Sequence, residues 1–176
     1  MRHLLQILVC SLMLVSACQQ TSPQAQMAER EKDLINARKM ILAGEFKRAE
    51  QILEICARAG HGGCAQTLGA AYQAGKWVPL DTEKARNWLT LAYNTGIQNG
   101  FSGVYGALGL SLMSCNAGQG GYPAFQQWLD RAQGLLDMLG ARKHLMASKT
   151  EQALQSLNRR VELMGENVTR ENCPEG

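Results

Sequence analysis

The amino-acid sequence predicts an all-α fold, a short α-solenoid of about three stacked helical hairpins with a C-terminal capping helix. Three observations lead to this prediction. Apolar residues recur at helical spacing along most of the chain, and no stretch alternates apolar and polar residues as a strand would. Glycines follow these apolar stripes, where helices commonly end. A residue pattern also repeats at intervals of 36 and 40 residues, which is typical of stacked helix pairs.

Length and composition limit the possible functions. The chain has 176 residues, of which 45% are hydrophobic and 19% are charged, enough for one domain with a packed core. Its 18 Lys and Arg residues against 15 Asp and Glu residues leave a formal charge of +3. Nucleic-acid binding needs a clustered basic face, so this weak bias argues against nucleic acid as a partner.

The first 17 residues have the features of an export signal. Arg2 precedes an apolar run from Leu4 to Val15, which is shorter than the roughly 20 residues of a permanent membrane span. The tetrapeptide Val-Ser-Ala-Cys that ends at Cys18 resembles the bacterial lipobox. This resemblance implies that residues 1–17 are removed and that Cys18 is acylated. An ordinary secretory signal cut near residue 17 is the alternative.

Residues 18–27 are predicted to be the lipidated cysteine and a flexible tether, because the segment is rich in glutamine, carries Pro23 and has no aromatic residue. Two or three acyl chains on Cys18 would hold the protein durably at a membrane, where one chain would not. Resemblance to enteric lipoproteins with a residue such as Gln19 after the cysteine implies the outer membrane, facing the periplasm. The inner membrane is the less favoured alternative.

The domain predicted for residues 28–165 begins with four helices. Their apolar stripes are followed by glycines that are expected to end them, at Gly44, Gly60, Gly75 and Gly96. Asp81 is expected to cap the fourth helix at its N-terminus.

Three further helices complete the predicted domain. The run from Phe101 to Cys115 is apolar with few breaks, which indicates a well-buried helix. Pro123 is suited to the first turn of the next helix. A last helix, at about Ala141–Met164, has apolar residues on one face and charges on the other, as a capping helix would. Residues 166–176 are predicted to form a C-terminal tail.

Internal similarity supports the stacking of helix pairs. The pattern from Ala49 to Gly60 matches that from Ala85 to Gly96 at an offset of 36, and Trp88-Leu89-x-x-Ala92 recurs at Trp128 at an offset of 40. One helix pair cannot bury its own apolar face, so several pairs of this kind must pack together.

The central unit, residues 65–96, carries ten residues at a fixed spacing: Ala65, Leu68, Gly69, Tyr72, Gly75, Asp81, Ala85, Trp88, Ala92 and Gly96. With this pattern it resembles a complete Sel1-like repeat, a relative of the tetratricopeptide repeat. The resemblance implies two helices that approach closely at Gly69 and Ala85, with Tyr72 and Trp88 filling the space between them. The match is partial on either side of this unit, and a helical bundle without repeat stacking is the alternative.

Four cysteines follow the lipidated one. An even number in an exported chain predicts two disulfides. The spacing of Cys56 and Cys64 is that of the cysteine-rich branch of the Sel1-like family, which implies that these two are bridged. His61 lies between them, so a metal site is the alternative, although zinc takes four ligands and no second Cys/His pair is near in sequence. Cys115 and Cys173 would then either form a second bridge or remain free or intermolecular thiols.

The aromatic residues Trp77, Tyr93 and Tyr122 lie at predicted loops and helix ends. They are expected either to pack between repeats or to form an aromatic contact patch for a partner.

Sequence motifs of catalysis are missing. The chain has no G-x-x-x-x-G-K-[ST], G-x-G-x-x-G, H-E-x-x-H or S-x-x-K motif. We therefore expect no catalytic residue, no metal, no cofactor beyond the lipid on Cys18 and no small-molecule substrate.

The predicted function is binding of an envelope protein or peptide, as the family resemblance implies for an adaptor or scaffold in the cell envelope. An immunity or inhibitor lipoprotein that neutralises a toxin or enzyme is the alternative, since some Sel1-like lipoproteins have that role. An enzyme acting on peptidoglycan or β-lactams is the third class.

Overall fold

The computed structural model describes residues 22–97, 100–116, 119–142 and 148–175. Within these ranges all regular secondary structure is α-helical, in the order α1 (Pro23–Leu42), α2 (Phe46–Arg58), α3 (Gly62–Ala74), α4 (Thr82–Gly96), α5 (Phe101–Ser114), α6 (Gly121–Gly140) and α7 (Ser148–Asn167). The all-α prediction is confirmed. The predicted signal segment, residues 1–17, and Cys18 lie outside the described residues.

Local signals in the sequence set the helix boundaries. The Ser22 hydroxyl accepts a hydrogen bond from the backbone of Ala25, and Pro23 occupies the first turn of α1. The Asp81 carboxylate accepts one from the backbone of Lys84 at 2.9 Å and so begins α4 as predicted. Gly75 ends α3 with a φ of 60°, in the left-handed region where a side chain would be strained.

Three predicted boundaries differ from those of the structure. Helix α1 begins at Pro23, inside the segment expected to be a flexible tether, because proline and the Ser22 cap together favour a helix start there. The last helix was expected at about Ala141–Met164, but α6 continues to Gly140 and α7 begins only at Ser148. Helix α7 also extends to Asn167, two residues into the predicted tail.

The helices pack in the order in which they follow one another along the chain. Contacts join each of the first six helices to its successor, while α3 also packs against α5. One group of buried side chains is shared by α1 to α4 and the C-terminal half of α5. A second group is shared by α5, α6, α7 and Cys173, and Trp128 contacts both groups.

Candidate functional site

The repeat-defining residues lie together where α3 and α4 face each other. Eight of the ten are buried: Ala65, Leu68, Gly69, Tyr72, Ala85, Trp88, Ala92 and Gly96. The other two, Gly75 and Asp81, end α3 and begin α4. Most of these residues therefore build the packing between the two helices, while Gly96 packs against Gly103 of α5 and Trp88 also lines a groove between α2 and α4.

Close contacts at Leu89 hold three helices together. A Cβ atom on Gly69 of α3 would lie 2.7 Å from Leu89 Cγ, and one on Gly109 of α5 would lie 2.8 Å from Leu89 Cδ1. Both distances are shorter than side chains tolerate, so only glycine lets α3 and α5 approach Leu89 of α4 this closely. Gly69 and Gly109 are separated by 40 residues, the interval of the sequence repeat.

Tyr72 forms a polar link among α2, α3 and α4. Its hydroxyl donates a hydrogen bond to the Glu50 carboxylate, and the Lys84 ammonium lies 3.4 Å from that hydroxyl and 4.8 Å from the ring centre. Burial of the side chain, followed by the Glu50 carboxylate that accepts its proton in the hydrogen bond, raises the pKa of Tyr72 above its ordinary value of 10.0. The phenol therefore stays protonated across the physiological pH range.

A disulfide joins Cys56 at the end of α2 to Cys64 in the first turn of α3, with the Cα atoms 5.9 Å apart. His61 completes this turn, because its Nδ1 accepts a hydrogen bond from the Cys64 backbone at 3.3 Å and begins α3. The other ring nitrogen, Nε2, lies 3.2 Å from a Glu31 carboxylate oxygen on α1. Sequence reasoning missed both of these roles of His61.

The ligand atoms of Cys56, His61 and Cys64 lie within 4.8 Å of one another, the arrangement of a possible metal site. In this structure the two sulfur atoms are bonded to each other, so neither is a thiolate that could ligate a metal. The described residues therefore place a covalent crosslink at this position.

The second disulfide joins Cys115, after α5, to Cys173 in the C-terminal segment, with Cα atoms 4.4 Å apart. Cys173 is fully buried. The segment continues over the start of α6, where a Cβ atom on Gly121 would lie 2.6 Å from the Glu175 Cα atom. Of the two sequence-based alternatives for these cysteines, the structure has the bridge.

The three loop aromatics take part in internal packing. Tyr93 meets Trp128 edge to face at 5.3 Å between ring centres, and Tyr122 stacks with Phe125 at 6.0 Å. Trp77 packs against the core shared by α1 to α4. The structure therefore favours the packing alternative for these residues over a contact patch.

An open groove of about 360 Å³ lies between α3, α5 and α7, and we name it the α3–α5–α7 groove. Its floor is formed by the buried residues Leu89, Leu108 and Gly109. Its walls and rim are Gln66, Ala70, Gln73, Tyr105, Leu112, Arg160 and Met164. Sequence reasoning did not predict this groove.

Two glutamines dominate the polar lining of this groove. Gln66 and Gln73 are seven residues apart on α3 and therefore share one helix face. Gln73 Nε2 donates a hydrogen bond to the Gly109 carbonyl of α5 at 3.2 Å, which fixes its side chain along the floor. The sequence held one signal for the α3–α5–α7 groove. It was the pair of glutamines, seven residues apart on a helix whose other residues are largely apolar and buried.

A second groove, of about 330 Å³, lies between α2 and α4. It contains three charged side chains, Glu54, Arg58 and Lys84. Arg58 lies 4.0 Å from Glu54 and 5.3 Å from the centre of the Trp88 ring, while Lys84 lies 3.9 Å from Asp81. Its cations therefore already have partners within the protein.

Comparisons with known proteins give no relative for this chain. No family model matches it, and no curated protein or solved structure has a significant match. Among the helices of the described residues, none is both long and apolar enough to cross a membrane.

Proposed function

We propose that this protein is a Sel1-like repeat lipoprotein that binds an envelope protein or peptide as an adaptor or scaffold. In this proposal Cys18 carries the lipid and holds the domain at the outer membrane, facing the periplasm. The lipobox resemblance of residues 15–18 supports the anchor. The two disulfides are consistent with an oxidising compartment.

Stacked repeats are the fold that this proposal requires. Packing of α3 against α5 supports stacking, because these are the first helices of two consecutive predicted hairpins. The equivalent glycines Gly69 and Gly109 both approach the side chain of Leu89, as a repeated unit would produce. Contacts between units at matching positions are characteristic of solenoid proteins.

The α3–α5–α7 groove is the observation that carries the binding proposal. Four helices contribute to it, since α4 supplies Leu89 on its floor, and it exposes Ala70 and Leu112 on its rim beside amide and hydroxyl groups. Leu112 is 47% exposed, high for a leucine on a helix whose other residues are largely buried. A groove with an apolar floor and a few polar groups is typical of a binding site.

The anchor would also determine where α1 begins relative to the membrane. Only residues 19–22 separate Cys18 from the start of α1 at Pro23. Even fully extended, five steps of chain reach about 18 Å. The start of α1 in the lipidated protein would therefore lie close to the membrane surface.

The test is site-specific photo-crosslinking in cells that express the full chain. With the photoreactive residue at Leu112 we expect a discrete crosslinked envelope protein, and none with it at Met138, an equally exposed position on α6 (50%). Ala70→Trp, which fills the groove from its rim, should remove the product. An unchanged product in Ala70→Trp would place the partner elsewhere.

The same cells test the anchor. Palmitate labelling should appear in the wild-type protein and disappear in Cys18→Ser, because the thiol is the acylation site in the lipobox resemblance. Labelling that persists in Cys18→Ser would refute the anchor. The identity of the crosslinked protein separates the two functions, since a component of an envelope assembly supports the adaptor and a toxin supports the immunity lipoprotein.

A further inference from the structure

We infer that the α3–α5–α7 groove recognises an extended peptide segment of a partner protein that presents an acidic side chain to Arg160. This inference rests on the proposed binding function and specifies the chemistry of the ligand. It is carried by the distribution of charge and hydrogen-bonding groups around the groove.

Arg160 of α7 is the one charged side chain among the residues that line this groove. Its neighbour Arg159 is held by Glu162 at 3.2 Å, whereas Arg160 has no acidic partner among the residues that the structure describes. In the α2–α4 groove, by contrast, Arg58 and Lys84 each lie within 4.0 Å of a carboxylate. A guanidinium without an internal partner, beside apolar walls, favours a carboxylate supplied by a ligand.

The other polar groups suit a peptide backbone. Gln66 and Gln73 carry amides that both donate and accept hydrogen bonds, and the Tyr105 hydroxyl makes no hydrogen bond to any other described residue. An extended chain exposes its N–H and C=O groups and needs such partners when it is buried. Leu112 and Met164 provide apolar contact for side chains next to the acidic one.

A second hollow borders Arg160, which favours an internal acidic residue over a chain terminus. Arg160 and Met164 also line a second hollow of about 570 Å³ on α7, together with Leu163 and Val168. The two hollows therefore share the side chains of Arg160 and Met164 as lining. A bound chain can pass over Arg160 and run on along α7, so its carboxylate would come from a side chain.

The test uses the full chain and matched libraries of short fluorescent peptides. One library has a central Glu flanked by apolar residues, and the other has Gln in its place, with no other charge in either. Each is made with a free and with an amidated C-terminus. We expect the Glu peptides to bind about tenfold more tightly than the Gln peptides, because a charge-assisted hydrogen bond replaces a neutral one. Amidation should not change this ratio.

Arg160→Gln should make the Glu and Gln peptides bind equally, while Arg38→Gln provides the matched control. Arg38 is an exposed residue of α1, far along the chain from the groove, and its loss changes the net charge by the same amount. The preference for Glu should survive in Arg38→Gln. A general effect of net charge would weaken the preference equally in both variants and would overturn the inference.

The remaining outcomes separate this inference from the binding function. If the wild-type protein binds Glu and Gln peptides equally, the groove binds peptides without the acidic preference. The inference then fails, and the proposed binding function stands. Loss of binding on amidation alone would identify a chain terminus as the ligand. If the wild-type protein binds no peptide and self-associates in sedimentation through Arg160, the groove is an interface between copies of the chain, and the inference fails.

Discussion

Tyr72 illustrates how a single hydroxyl can connect three helices. The ring is buried between α3 and α4, and its hydroxyl reaches the Glu50 carboxylate on α2. The Lys84 ammonium from α4 lies close to the same oxygen. Phenylalanine would fill the same space without the polar link, so the hydroxyl stabilises the relative positions of the helices.

Tyr72→Phe should lower the free energy of unfolding by about 1.5–3 kcal/mol, because it removes a hydrogen bond to a charged group. Urea unfolding of the full chain measures this change. Tyr105→Phe is the matched control, since the hydroxyl of Tyr105 donates to no described residue, and it should be nearly neutral. Equal losses in the two variants would show that the link to Glu50 contributes little.

Alkaline unfolding gives a second measurement on the same variants. The pKa of Tyr72 is raised in the folded protein, so the folded state keeps its proton at a pH where the unfolded state loses it. This contribution to stability is complete below the ordinary pKa of 10.0 and declines as the pH rises above it. Tyr72→Phe should therefore flatten the loss of stability above pH 10.0 relative to the wild type. Parallel curves would contradict this assignment.

At the scale of helices, the crossing of α4 and α5 depends on glycines. A Cβ atom on Gly96 would overlap the backbone nitrogen of Gly103, so these two backbones are in direct contact. A Cβ atom on Gly106 would lie 2.7 Å from the Leu89 carbonyl oxygen, in the middle of the same interface. The small residues of α5 thus set the distance between the two helices.

Gly96→Ala should destabilise the fold by about 1–3 kcal/mol or more, since the methyl group has no space between the two backbones. The control is Gly134→Ala in α6, where a Cβ atom would meet nothing within 4 Å. That change should stabilise the protein by about 0.5–1 kcal/mol, because alanine favours the helix. Thermal unfolding would measure both, and a stabilising Gly96→Ala would mean that α4 and α5 are further apart.

At the scale of the whole molecule, the two disulfides act over different lengths of chain. The bridge between Cys56 and Cys64 closes a separation of 8 residues within one turn between helices. The bridge between Cys115 and Cys173 closes a separation of 58 residues and fixes the C-terminal segment to the end of α5. The longer loop restricts the unfolded chain more strongly.

Replacing Cys115 and Cys173 by Ala should therefore cost about 4 kcal/mol, against about 2.5 kcal/mol for the same change at Cys56 and Cys64. Urea unfolding of the two double variants measures the difference. Each removes one bridge and two sulfur atoms, so each is the control for the other. A larger loss from the shorter loop would show that loop entropy is not the main contribution.

The helix ends that the sequence predicted correctly depend on residues that are close together in the chain. The glycine that ends α3 and the Asp81 cap of α4 act within one turn of the chain, and both lie where the sequence placed them. The start of α1 was misplaced because proline was weighed as a tether residue and the Ser22 cap was overlooked. The start of α7 was misplaced, because α6 continues to Gly140 and α7 begins only at Ser148.

The sequence by itself determined the helical class and the buried faces of α3 and α4, because helical periodicity and caps depend on residues close together in the chain. For Cys56 and Cys64 it left a disulfide and a metal site as alternatives, and the structure has the disulfide. Only the tertiary structure decided that Cys115 meets Cys173, that His61 contacts Glu31, and that Arg160 lines the same groove as two glutamines of α3. Those positions depend on how distant helices pack, and packing is fixed by the fit of many side chains at once.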